Sequence, residues 1–146
     1  MAQATPQNFQ NHVRFVPAYH LVASTILVIN LIWWLYKLIR YPSADAAITM
    51  LLIVAIIIVW FYARVFAMTV QDRLIRLETT LRLEKLAAPD LRTRIPELTL
   101  DQLIALRFAS DEELPALANK VLKEKITSRT AIKKLVRNWI PDYLRV

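Results

Sequence analysis

The sequence predicts an all-α protein: a transmembrane helical hairpin whose long second helix extends into a small cytoplasmic helical domain. Three observations predict it. Apolar and charged residues are segregated, with Lys37, Arg40 and Asp45 the only charges between Leu21 and Ala63, and with 16 Lys/Arg and 11 Asp/Glu from Arg64 onward. Glycine is absent, which disfavours the tight turns of β-hairpins and removes the backbone approach that Gly-rich phosphate loops require. The apolar residues beyond Arg64 recur at helical spacings, interrupted by capping patterns and by proline.

In chain order, residues 1–18 read as a cytoplasmic N-terminal segment. The apolar core that follows begins late and ends in Trp33, Trp34 and Tyr36, unlike a cleaved signal peptide, so it is expected to be retained. Residues 19–40 form the first span: about 20 apolar residues cross a core of ~30 Å. Pro17 suits the first turn, where a missing N–H costs nothing. Tyr19 and His20 at one end, and Trp33, Trp34, Tyr36 and Tyr41 near the other, match an interfacial aromatic belt. Pro42 breaks the helix in a short periplasmic loop, residues 41–45, where Ser43 can cap the next helix with Asp45 in its first turn.

Residues 46–66 form the second span, with Arg64 able to snorkel to headgroups. No Pro or Gly occurs between Pro42 and Pro89, so one helix is expected from about Ala44 to Leu86, residues 67–88 being its cytoplasmic extension. There Ala67, Val70, Leu74, Leu77 and Leu81 recur at spacings of 3, 4, 3 and 4, and Asp72–Arg76 and Glu78–Arg82 are i,i+4 pairs. The stripe covers two heptads, and packing on the protein's own C-terminal domain and dimerisation both remain open for it.

Residues 89–146 form the cytoplasmic helical domain. A turn or two follows Pro89. Thr99 and Gln102 make a capping box that opens a helix to about Ala109, and Ser110 and Glu113 make another, opening a helix to about Lys125. The last helix is expected from Ser128 to Trp139, with Ile132, Leu135, Val136 and Trp139 as its i, i+3, i+4, i+7 face. A domain this small has a thin core, which the extended second helix would help to close.

Orientation follows from the Lys/Arg count near the spans. Arg14, Arg64, Arg73, Arg76 and Arg82 lie on the side of the termini, and Lys37 and Arg40 in the loop. Both termini are therefore expected in the cytoplasm.

Chemistry finds little to stand on. There is no cysteine, and the histidines are His12 and His20, read as a loop residue and an interfacial residue rather than metal ligands. Ser43, Ser110 and Ser128 are caps or loop residues and Ser24 is within the first span, so no Ser–His pair is expected. Asp111, Glu112 and Glu113 are explained by a helix first turn, where the macrodipole favours negative charge. Asn30, in mid-span, is a possible helix–helix contact. Arg64 and the basic face of the last helix, Arg129, Lys133, Lys134 and Arg137, are candidates for docking on headgroups or an acidic partner. The net charge of +7 points in a chain with long apolar spans to anionic headgroups, and nucleic acid is not expected.

Particular stretches carry a resemblance. They are Asn8 to Phe15, Val70 to Glu78, Leu98-Thr-Leu-Asp-Gln-Leu-Ile-Ala-Leu-Arg-Phe-Ala-Ser-Asp-Glu-Glu-Leu114, Ala131-Ile-Lys-Lys134 and Trp139-Ile-Pro-Asp-Tyr-Leu-Arg-Val146. Together they resemble a family of small bacterial inner-membrane proteins classed as a domain of unknown function. The resemblance implies bacterial origin and two spans, and brings no activity, cofactor or catalytic residue. The expected function is a non-enzymatic, membrane-anchored accessory or scaffold protein of the bacterial inner (plasma) membrane. No cofactor is expected. The expected partners are the anionic bilayer and a protein partner, or a homo-oligomer through the extended second helix. The alternative is a structural or regulatory subunit of a larger membrane transport or respiratory complex.

Overall fold

The computed structural model describes residues 7–11 and 14–143. Within them the chain is all-α, with no strand and one isolated bridge between Ala109 and Trp139. Two helices are long and apolar enough to cross a membrane, α1 (Ala18–Arg40) and α2 (Ala44–Leu86). The chain divides into two units, Arg14–Met68 and a second made of Thr69–Val146 with Met1–Val13.

In the first unit, α1 opens with a π-helical stretch, Ala18–Ala23, before α winding sets in at Ser24. The Ser24 hydroxyl donates to the carbonyls of His20 and Leu21 at this transition, a side-chain competition that loosens the i→i−4 ladder. Tyr19 joins the two helices: its hydroxyl donates to the Trp60 carbonyl and its ring stacks on the indole at 5.0 Å. His20 stacks on Phe15 at 5.1 Å. α1 ends at Arg40, and Ser43 caps α2 by accepting from Ala46 N at 3.2 Å. As the missing Pro and Gly predict, α2 then runs 43 residues without interruption.

Among its described residues the second unit contains the end of α2 and five short helical elements. These are α3 (Pro89–Arg92), a 3₁₀ turn (Ile95–Glu97), α4 (Leu100–Leu106), α5 (Leu114–Lys123) and α6 (Arg129–Leu135), the 3₁₀ turn lying between α3 and α4. The capping box at Thr99 is complete: Thr99 N donates to Gln102 Oε1 at 2.7 Å and Gln102 N to Thr99 Oγ1 at 3.3 Å. Ser128 caps α6 through Ala131 N. Leu83 and Ala87 of α2 join Leu91, Leu106, Leu114, Val121 and Ile132 in one buried cluster, so α2 does close this core.

It does so with a face other than the apolar stripe read from the sequence, for which the sequence leaves packing on this domain and dimerisation both open. Ile75, Thr79, Leu83 and Ala87 are buried, at spacings of four, whereas Val70, Leu74, Leu77 and Leu81 are exposed. Arg82 does not pair with Glu78 but turns to Asp111.

Two helix boundaries also differ from expectation. α6 stops at Leu135 rather than Trp139, with Val136 in extended backbone. Tertiary hydrogen bonds replace the helical ones. Arg137 N and Asn138 N donate to the Glu113 carboxylate, Ser110 N to Asn138 O at 3.0 Å, and Ile140 N to Phe108 O at 2.7 Å. Trp139 therefore reaches the core from a bridge and stacks on Phe108 at 4.3 Å. Similarly, α5 begins at Leu114, with Pro115 in its first turn. Asp111, Glu112 and Glu113 precede it, so they are not first-turn carboxylates. Asp111 binds Arg82, and Glu113 holds the 137–138 backbone.

Candidate docking groove

The basic residues expected on the last helix separate into two groups. Arg129 and Lys133 serve the fold. Arg129 Nη2 meets Asp101 Oδ1 at 2.5 Å, joining α6 to α4. Lys133 Nζ sits 5.1 Å above the Phe108 ring, a cation–π contact that an ordered aromatic core residue can hold. Lys134 and Arg137 face a groove of about 350 Å³ between α5 and α6, lined also by Glu113, Ala116, Leu117, Lys120 and Leu135. Lys134 also lies 5.9 Å from the Phe9 ring.

Local structure explains this lining. Residues four apart share a helix face, which puts Ala116 and Lys120 of α5 on one wall beside Leu117. Leu135 and Lys134 supply the opposite wall. Arg137, two residues beyond the end of α6, completes the lining. Both oxygens of Glu113 accept backbone N–H groups, from Asn138 to Oε1 and from Arg137 to Oε2, each at 3.2 Å. Its charge is thus partly engaged by the fold, while Lys120 has one long contact to Glu124 at 4.0 Å. The groove has an apolar floor and a cationic rim, which suits a ligand carrying carboxylates or phosphates beside apolar groups.

Lys120 is not singled out by sequence, and Glu113 is read there only as a capping-box and first-turn carboxylate. Lys120 sits on the polar side of its own helix and becomes part of a rim only because α6 packs beside it. Arg82 was read as an i,i+4 partner but binds three groups at once. Its guanidinium donates to Arg107 O at 3.0 Å, to Ala109 O at 2.9 Å and to Asp111 Oδ1 at 2.6 Å, satisfying carbonyls that the end of α4 leaves open.

Asn30 is exposed on α1, its amide donating to Ile26 O of the same helix at 2.8 Å. Tyr19, rather than Asn30, makes a polar contact between the two helices of the hairpin. Arg64 is half-buried on α2. His20 Nδ1 lies 3.0 Å from Val16 O, and His12 falls outside the described residues.

No curated protein and no solved structure matches the chain. Its sequence does match one family along residues 1–146, and the chain belongs to that family of unknown function, DUF6526.

Proposed function

We propose that this protein is a membrane-anchored accessory or scaffold protein without catalytic activity of its own. α1 and the first part of α2 anchor it in a bacterial inner membrane, with both termini in the cytoplasm. Its helical unit grips an acidic, amphipathic segment of a protein partner between α5 and α6. One observation carries the reading: Lys120, Lys134 and Arg137 line one groove with Ala116, Leu117 and Leu135, beside a Glu113 carboxylate already engaged by two backbone N–H groups. Cations alone would fit any anion. The floor favours a partner with apolar side chains to bury, since burial supplies about 25 cal/mol per Å².

Photo-crosslinking from a benzophenone side chain at Ala116 tests this in intact cells. A discrete polypeptide adduct is expected, lost when Lys120, Lys134 and Arg137 are all replaced by Gln. Crosslinks to lipid alone would replace the protein partner with headgroups and overturn the reading. Alkaline phosphatase fused after Val146 should be inactive and a fusion in the 41–43 loop active; the opposite pattern reverses the orientation.

The exposed Asn30 favours a second reading, in which α1 packs against another subunit of a larger membrane transport or respiratory complex. An amide facing lipid gains from a partner helix, by roughly 1 kcal/mol or less. Migration of the solubilised protein in a large stoichiometric complex, lost in Asn30→Leu, would support it.

A further inference from the structure

The part of α2 within the helical unit has two apolar faces. Ile75, Thr79, Leu83 and Ala87 are buried, and Val70, Leu74, Leu77 and Leu81 are each more than half exposed. At about 100° per residue the two sets lie roughly 170° apart around the helix. Folding of the helical unit therefore leaves the second stripe uncovered, on the side away from its core.

We propose that a second copy of this chain covers it, the two α2 helices forming a short parallel coiled coil from Val70 to Leu81. The spacing of 4, 3 and 4 assigns Leu74 and Leu81 to a positions and Val70 and Leu77 to d positions of a heptad. Residue 73 then stands at g and residue 78 at e, occupied by Arg73 and Glu78. In a parallel dimer the g residue of one helix meets the e residue of the next heptad on its partner. Arg73 thus faces Glu78 of the second copy, twice by symmetry.

The same two residues cannot meet within one chain. Five places apart, they lie roughly 140° around the helix. No acidic residue stands three or four places from Arg73, and Arg82, four places from Glu78, is engaged by Asp111. Arg73 and Glu78 are complementary to each other only between copies.

Parallel orientation rests on the membrane reading above, because two copies inserted with the same topology point the same way. Confinement to one membrane also raises effective concentration, as a tether does. That favours pairing by a stripe shorter than two heptads, which would be weak between free chains.

The absence of cysteine makes the test direct. Full-length chains with Val70→Cys, Leu77→Cys or Leu81→Cys, and Arg76→Cys as an exposed control on another face, are oxidised in native membranes. All three stripe positions should give disulfide-linked dimers of twice the chain mass, and Arg76→Cys little. Equal cross-linking at Arg76, or an adduct of another mass, would overturn the second copy as occupant. Arg73→Glu and Glu78→Arg should each lower the dimer band, by roughly tenfold as two attractions become two repulsions. The double variant Arg73→Glu/Glu78→Arg should restore it; a double no better than the singles would overturn the register. Carbonate extraction reports anchoring separately. A chain that is extractable yet cross-linked at all three positions would overturn the membrane reading and leave the dimer standing.

Discussion

Ile58 and Ile132 are the same side chain on two helices of one protein, yet Ile58 is 52% exposed and Ile132 fully buried. Their neighbours explain the difference. Ile58 lies in a stretch of α2 that is apolar all round, from Ile53 to Phe61. Ile132 lies on a helix of seven residues with Lys133 and Lys134 beside it and one apolar side. A helix apolar on every side cannot hide all its faces against one neighbour and asks for an apolar surrounding. A one-sided helix asks only for a protein core. Within the chain the first unit therefore leaves most of its apolar surface uncovered, whereas the second buries a core of its own.

Substituting both isoleucines tests this most strongly. Ile132→Ala should cost about 2–5 kcal/mol through lost contacts and a residual cavity, a large part of the stability of so small a unit. Ile58→Ala should leave the helical unit's melting and protease resistance unchanged in detergent. An equal loss at Ile58 would mean that this face of α2 packs against protein.

Arg82 should come next. Arg82→Ala leaves the Arg107 and Ala109 carbonyls and the Asp111 carboxylate without their donor, at about 1–3 kcal/mol. Arg82→Lys should recover little, since an ammonium cannot reproduce the forked geometry. Asp111→Asn should cost less than either, because Asp111 is mostly exposed and its pair is screened. Melting of the three variants orders them; Asp111→Asn falling as far as Arg82→Ala would make the ion pair, not the carbonyls, the main contact.

Gln102 is buried, closes the capping box and donates to Ile126 O at 2.9 Å. Gln102→Ala should cost about 1–2 kcal/mol through the lost cap and an unsatisfied carbonyl. Gln102→Glu should keep the cap but lose the donor to Ile126, and fall between. If Gln102→Glu melts with the wild type, the Ile126 contact contributes nothing.

The elements that sequence made legible are those decided by local chemistry. The uninterrupted α2 follows from absent breakers, and the starts of α2, α4 and α6 follow from Ser43, Thr99 and Ser128. What was not legible depends on partners distant in sequence. The end of α6 is set by Glu113 and by the Phe108–Ser110 segment, which take up the backbone of residues 137–140, although a 3.6-residue pattern assigns 137–139 to a helix. The stripe Val70, Leu74, Leu77, Leu81 has textural advantages over Ile75, Thr79, Leu83, Ala87 by periodicity alone, because Thr79 and Ala87 are weakly apolar. Yet small side chains allow close approach, and that is the face the core covers. The cationic rim was half legible: Lys134 on α6 and Arg137 just beyond its end belong to a visibly basic stretch, whereas Lys120 joins them only through tertiary packing.

The smallest effect is expected at the 3₁₀ turn. Arg94 grips Glu97 with two hydrogen bonds, Nε to Oε1 at 3.2 Å and Nη2 to Oε2 at 3.0 Å. Hydrogen bonding from Arg94 holds the Glu97 carboxyl below its ordinary value of 4.5, and the same contact raises the Arg94 guanidinium above its ordinary value. For Glu97, with its folded value depressed, the contribution is fully present above about pH 4.5 and is lost as pH falls through the folded value. For Arg94, with its folded value raised, the contribution is fully present below the ordinary guanidinium range, so it is constant across usable pH. Only acid can switch the pair off. Both side chains are exposed, and solvent and salt screen exposed pairs. Glu97→Gln should therefore leave the melting midpoint at pH 7 within measurement scatter, and 1 M salt should erase any residue of difference. Between pH 5 and pH 3 the wild type should lose slightly more stability than Glu97→Gln, which has no carboxyl there to protonate. A shift at pH 7 as large as that of Arg82→Ala would show that the turn is held by this pair and not by the buried Ile95 and Leu98 on either side of it.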